Sequence, residues 1–375
     1  MKKVMNFYGM RQIVICSFLL LSCLLAKAAD FVEDGFSFNV ISLDDMTCEI
    51  LADESTEYSG TLNIPSTVIY NNRSFSVVGV GNKAFKGCEQ IEQVVLPETI
   101  KSIGTEAFSG CSSLSIINIP ENVMSIGEYA FEVCTSLERI SIPSNIKVLS
   151  QGVFYGCSLL KDIVIPEEVE QIDNKTFYNC KSLESITLPK SCNTIGTNSF
   201  RNCSNLKKVT IMSPNIGING YFKPGVSYPF SSCPNLKEVC LSRYKAILLF
   251  DYTILESITF FEGTNWTDDN DFDDTKNLKQ FTILEKDVPT KSFTFSNSQY
   301  MNVSLIVPQE SIEQYKTTTP WSNFWNITAY SDVTGIEETK VNNTEEGIIK
   351  KIENGRIVIK TNHGTYNTNG VKVSK

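Results

Sequence analysis

Residues 103–120 read Ile-Gly-Thr-Glu-Ala-Phe-Ser-Gly-Cys-Ser-Ser-Leu-Ser-Ile-Ile-Asn-Ile-Pro, and this stretch decides the fold. Leu114, Ile117 and Ile119 fall on one side of an extended segment while Ile116 and Asn118 fall on the other. That period of two marks a strand. Pro120 follows directly and ends the strand by removing a donor. Gly104 and Gly110 permit tight corners. Ala107-Phe108 predicts a short helical turn or coil on the opposite side of the unit.

The unit repeats along the chain. Phe85, Phe108, Phe131, Phe154, Phe177 and Phe200 are each 23 residues apart. Cys88, Cys111, Cys134, Cys157, Cys180 and Cys203 keep the interval, as do Ile91, Leu114, Leu137, Leu160, Leu183 and Leu206. Pro97, Pro120, Pro143, Pro166 and Pro189 mark the strand ends. One such unit cannot bury its own apolar side, whereas stacked neighbours share a continuous core. The expected architecture is therefore a solenoid with Phe and Cys ladders inside it.

Less regular units extend the array. Leu62 and Ile64 before Pro65 read as an opening strand. Cys233 and Leu236 resume the pattern after a seven-residue insertion near residues 212–229, which carries Gly217, Gly220 and Pro224. Leu255 with Ile258 and Phe260, then Leu278 with Phe281 and Ile283, again lie 23 apart. Leu305 and Val307 before Pro308 supply the last expected strand. Eleven strands at roughly 4.8 Å predict a parallel sheet about 48 Å long.

These units resemble the BspA-like leucine-rich-repeat family of bacterial surface proteins, through Ala-Phe-x-x-Cys-x-x-Leu-x-x-Ile-x-Ile-Pro over residues 80–308. The resemblance implies an α/β repeat fold: a leucine-rich-repeat solenoid with one parallel β-sheet, short helical turns or coil opposite it, and a small β appendage. Residues 29–79 resemble the family's amino-terminal cap and first rung, with Phe38, Cys48 and Tyr58. Residues 309–330, with Tyr315, Trp321, Phe324 and Ile327, resemble its closing cap. Residues 331–346 read as a polar linker. In 347–375, Gly355–Ile359 and Tyr366–Val373 predict a short hairpin resembling part of a carboxy-terminal sorting domain.

At the other end, Lys2, Lys3 and Arg11 precede an apolar run from Ile13 to Ala26, and Ala26-Lys27-Ala28 is a small-x-small cleavage signature. Residues 1–28 therefore read as a signal peptide. Leu20-Leu21-Ser22-Cys23 offers a competing reading as a lipoprotein box. The expected location is the cell surface or extracellular space, with the periplasm as the alternative and no transmembrane segment in the mature chain.

Composition excludes much chemistry. The chain of 375 residues has 12 cysteines, a net charge of -9 and a single histidine, His363. No Ser-His-Asp or Cys-His dyad can form within the repeats, and multi-histidine zinc sites fall with them. Residues 1–28 hold four Lys+Arg and no acid, so the remainder carries 29 bases and 42 acids, a net charge of -13. Such a surface repels nucleic acid and anionic membranes, and neither is expected as a partner. No cofactor or metal is expected. Asp268, Asp269, Asp271, Asp273 and Asp274 form the one acidic run, in which alternating Asp269, Asp271 and Asp273 resemble the start of a calcium loop, but Asp274 stands where glycine is needed and Gln280 where glutamate is needed. The run reads as a solvated inter-repeat loop. The cysteine ladder reads as packing, and Cys192 and Cys240, lying off it, as the accessible thiols.

The candidate binding surface is the solvent side of the strands. Its first column is Gln93, Ile116, Arg139, Asp162, Ser185, Lys208 and Glu238, and its second is Val95, Asn118, Ser141, Val164, Thr187, Thr210 and Cys240. Both vary freely in size and charge beside nearly constant Ile117, Ile140 and Ile163. The expected function is an exported, non-enzymatic binding or adhesion module recognising a host matrix or surface protein, or a polysaccharide. A structural envelope scaffold is the alternative reading. A carboxylate-dependent glycoside hydrolase is a third, because paired acids need no histidine.

Overall fold

The computed structural model describes residues 29–375 except 54–55, 220–227, 251–253, 267–268, 331–348, 354–355, 362–363, 368–371 and 375. The leader, the linker, Asp268 and His363 lie outside the described residues. The chain divides into two units, Met1–Leu255 and Glu256–Lys375.

In the first unit each 23-residue turn meets its neighbours along three flanks. The broad flank is the expected strand. Ser59–Asn63, Gln90–Val95 and Ile116–Asn118 pair in parallel, as do Ser185–Leu188, Lys208–Ile211 and Glu238–Arg243. The second flank is a narrow parallel ladder not expected from the sequence. Arg73–Val80, Ser102–Ile103 and Ser125–Ile126 form one run, and Val148–Leu149, Gln171–Ile172, Thr194–Gly196 and Gly217–Asn219 form another. Gly217 lies 23 residues after Thr194 and pairs with it, so it belongs to this ladder and the extra residues of the insertion follow it.

The third flank carries Ala-Phe. No helix forms there in the regular turns, because the Phe N–H groups are donated to the next turn, whereas a 3-10 helix, Tyr244–Leu249, leads into Phe250. Phe85 N–H bonds Ala107 O at 2.8 Å, Phe108 bonds Ala130 O at 2.8 Å and Phe131 bonds Val153 O at 3.0 Å. The chain turns back with left-handed residues. Lys83, Glu106, Tyr129, Lys175 and Asn198 form one positive-φ column, with Gly152 at its remaining place. Gly110, at φ 80, stands in a second.

The three flanks enclose the Phe stack. Phe85, Phe108, Phe131, Phe154, Phe177 and Phe200 are fully buried, and neighbouring rings lie 5.4, 5.6, 5.9, 5.4 and 4.9 Å apart. Phe230 and Phe250 continue the stack. Its amino-terminal end is closed edge-on by Phe36 and Tyr58, at 90° and 82° to Phe85. Both residues come from the opening segment, where Phe31–Glu33, Phe36–Ser42 and Thr47–Leu51 form an antiparallel meander.

In the second unit, Ser257–Asn265, Gln280–Ile283, Ser304–Pro308 and Asn326–Tyr330 form a parallel sheet with Ile258, Phe281, Leu305 and Ile327 in line. The strand of Leu305 and Val307 is thus not the last. Ile327 sits on a further one that prolongs the sheet as well as closing it. The closing segment buries Tyr315 and Trp321 completely. Trp321 Nε1 donates to Pro289 O at 3.1 Å, and Tyr315 Oη donates to Glu285 O at 3.1 Å. Ser296 caps the helix Asn297–Asn302, and Gln299 Nε2 donates to Phe272 O at 2.7 Å and Thr275 Oγ1 at 2.8 Å.

The tail forms an antiparallel meander of Ile349–Glu353, Arg356–Thr361, Gly364–Asn367 and Lys372–Ser374. The expected hairpin is its middle, with Ile359 opposite Tyr366. The segment expected as one strand from Tyr366 to Val373 divides into two.

Candidate functional site

Strand alternation builds the surface. Ile117, Ile140, Ile163, Ile186 and Val209 point inward and are at most 8% exposed. Their sequence neighbours must then face water. Gln93 pairs laterally with Ile116, Arg139 with Asp162, Ser185 with Lys208, and Lys208 in turn with Glu238. In the second column Val95 pairs with Asn118, Thr187 with Thr210, and Thr210 in turn with Cys240. Ser141 and Val164 are exposed on the two intervening turns. Gln93, Thr210 and Cys240 are half-buried and the other candidates are exposed.

Electrostatics and packing divide this face. Arg139 meets Asp162 at 3.5 Å and Lys208 meets Glu238 at 3.2 Å. All four side chains are about half exposed or more, so each pair contributes less than about 1 kcal/mol. Around the pairs the surface is apolar, with Val95, Ile116 and Val164 at 40%, 56% and 75% exposure. On the flanks, Lys161–Glu138 at 3.2 Å and Lys207–Glu184 at 2.8 Å again join residues 23 apart. Elsewhere on this unit a shallow groove of about 470 Å³ is lined by Asn179, Lys181, Asn202 and Ser204 together with Ser232 and Pro234.

The outward columns also exist in the second unit, and sequence reasoning stopped short of them. Ser257, Gln280, Ser304 and Asn326 are in line, followed by Thr259, Thr282, Ile306 and Thr328, of which Thr282 is buried. The signal was present: each flanks one of the inward residues Ile258, Phe281, Leu305 and Ile327.

The acidic run holds no assembled ligand set among the described residues. Asp269–Asp271 is a short strand beside Ser292–Thr294, and Asp271, Asp273 and Asp274 are exposed.

The cysteines are buried for a specific reason. From Cys111 to Cys203 each ladder thiol donates to a Phe carbonyl of the preceding turn, as in Cys111 to Phe85 O at 3.1 Å and Cys157 to Phe131 O at 3.1 Å. Burial pushes both thiols from 9.0 up to about 12. Cys192 is fully buried, contrary to its expected accessibility. It continues a column of Ile100, Val123, Ile146 and Val169, all buried, at the same 23-residue interval. Cys88 and Cys240 are the half-buried ones. Native protein lacking residues 1–28 should therefore show at most two reactive thiols with a colorimetric disulfide reagent, and all ten after denaturation. Because the folded thiols keep their protons where the unfolded ones ionise, stability should fall as pH rises from about 9 toward 12. Urea melts across that range would check it, and a flat profile would contradict the assigned burial.

A stacked parallel strand ladder over a repeating Phe-Cys-Leu core defines the leucine-rich-repeat class. The family model described as "BspA type Leucine rich repeat region" matches in six copies, over residues 78–207, 151–248, 172–302 and 246–362, and the chain belongs to that family. A solved leucine-rich repeat protein of T. pallidum is 30% identical, over 48% of this chain and 85% of that one, with a TM-score of 0.43. A leucine-rich cell surface protein of Faecalibacterium prausnitzii is 18% identical over 81% and 95% of the two chains, with a TM-score of 0.41. A leucine-rich repeat protein from Bacteroides ovatus is 21% identical over 80% and 100%, with a TM-score of 0.32. No curated protein matches the chain. No helix among the described residues is long and apolar enough to cross a membrane.

Proposed function

We propose that the chain is an exported binding module whose first unit recognises a surface or matrix protein through the solvent face of its strands. The observation that carries this reading is the lateral register of two freely varying outward columns beside constant buried ones. Their chemistry supports a protein partner. Exposed Val95, Ile116 and Val164 offer desolvation, and the rim pairs Arg139–Asp162 and Lys208–Glu238 offer charge discrimination. Export follows from the basic start, apolar run and Ala26-Lys27-Ala28 of the leader.

Purified mature protein should be retained on a panel of host matrix proteins. Arg139→Glu should weaken that retention about tenfold or more while leaving stability within about 0.5 kcal/mol, because the pair it breaks is exposed. Ile116→Asp should act in the same direction. A panel with no retained protein, or retention indifferent to both substitutions, would sink the proposal.

A further inference from the structure

We infer that the strand face of the second unit is a site for an uncharged polysaccharide. The alternate positions of its four strands comprise the two columns named above, in which Thr282 is buried, and a third of Phe261, Pro308 and Tyr330, in which Pro308 is buried. None of them carries a charge at neutral pH, although 20% of the chain's residues are charged and the first unit's face holds Arg139, Asp162, Lys208 and Glu238. The first two columns are hydroxyls and amides apart from Ile306.

These polar groups are held in place by one another. Asn326 Nδ2 donates to Ser304 Oγ at 2.6 Å, and Gln280 Nε2 donates to Thr282 Oγ1 at 3.1 Å. Each amide keeps its carbonyl oxygen and a second N–H for a ligand. The backbone repeats them at about 4.8 Å from strand to strand. The third column adds an apolar border, with Phe261 half-buried and Tyr330 44% exposed.

Charge and shape select the occupant. An anionic polymer would find no cation in these columns, and Lys279 at their margin is paired with Glu256 at 2.6 Å. A protein interface draws its energy from buried aromatic and Arg anchors, and Ser and Thr contribute little there. An open sheet gives a small metabolite no concavity. A neutral polysaccharide presents hydroxyls that both donate and accept, matching a field of hydroxyls and amides, and its apolar ring faces suit the aromatic border.

The test uses the mature full chain with laminarin, dextran and mannan as neutral probes, polygalacturonate as the acidic one, and the retained matrix proteins. At least one neutral polysaccharide should bind with an affinity unchanged between low and high salt. Gln280→Ala and Asn326→Ala should each weaken it about tenfold. Arg139→Glu should leave it unchanged. Thr328→Lys, at an exposed position of the edge strand, should weaken it too and guards against a folding defect in the other variants. The inference is overturned if only proteins or polygalacturonate bind, if no probe binds, or if neutral binding is lost with Arg139→Glu alone. Protein retention by the first unit is read separately, so either proposal can fail without the other.

Discussion

Gly127→Ala is expected to destabilise the protein by about 3 kcal/mol or more, although it adds a single methyl group. A Cβ built on Gly127 would lie 2.4 Å from Thr105 N, 2.6 Å from Gly104 C and 2.8 Å from Thr105 Cα. All three are backbone atoms of the preceding turn, so relief would require the turns to separate. Separation is opposed by the hydrogen bond from Gly127 N–H to Ile103 O at 2.8 Å, and by the Phe stack beneath.

The same column shows what the fold does without glycine. Gly81, Gly104, Gly127 and Gly196 occupy it, but Ser150 and Asp173 stand at two of its places. The narrow ladder runs from Ser125–Ile126 back to Arg73–Val80 and starts again at Val148–Leu149, so it breaks at the turn where Ser150 replaces glycine. There the Ser150 hydroxyl donates to Ile126 O at 2.6 Å, taking the place of the backbone donor. Asp173, by contrast, keeps the backbone donor, its N–H bonding Leu149 O at 2.9 Å. Alanine at 127 has no hydroxyl to substitute as Ser150 does. Gly217→Ala is the control, since its Cβ would meet only Asn193 O at 3.7 Å. It should change stability by less than about 0.5 kcal/mol. Denaturant midpoints for the two variants decide the matter, and equal effects would refute close turn-to-turn approach as the role of Gly127.

The broad strands and the buried ladders were legible because their residues repeat in kind: Phe, Cys, Leu and Ile every 23 positions. The narrow ladder was not. Its two-residue strands hold one buried apolar residue each, such as Ile103 or Ile126, too few for an alternation to register. The left-handed column was hidden for another reason. Lys83, Glu106 and Tyr129 share a backbone conformation and no side-chain chemistry, so nothing in their identities marks them. Cys192 was misplaced because it continues a column of Ile and Val rather than of Cys. The outward columns of the second unit were missed although Ile258 and Phe281 keep the 23-residue interval, and the spacing changes beyond them, with Leu305 and Ile327 following at 24 and 22 residues.

Phe131→Ala should cost about 3–5 kcal/mol, a large part of the stability of an ordinary domain. Phe131 is fully buried, with Phe108 at 5.6 Å and 2° on one side and Phe154 at 5.9 Å and 9° on the other. Parallel rings repel when superposed and attract when offset. The sheet fixes the rise between turns at about 4.8 Å, so centroids farther apart than this must be displaced sideways. The stack therefore meets the strand spacing with an offset that keeps the rings attractive. Phe131→Leu retains most of the buried apolar area but loses both ring contacts, each worth about 0.5–1.5 kcal/mol. It should cost about 1–3 kcal/mol, and its difference from alanine separates volume from stacking. In a solenoid each turn senses its neighbours alone. Phe131→Ala combined with Phe154→Ala should then depart from additivity by about 0.5 kcal/mol or more, because both open the same cavity. Combined with Phe230→Ala, several turns away, it should add within about 0.5 kcal/mol. Strong coupling of the distant pair would mean that the stack transmits strain along its length and that nearest-neighbour stacking is the wrong description of this core.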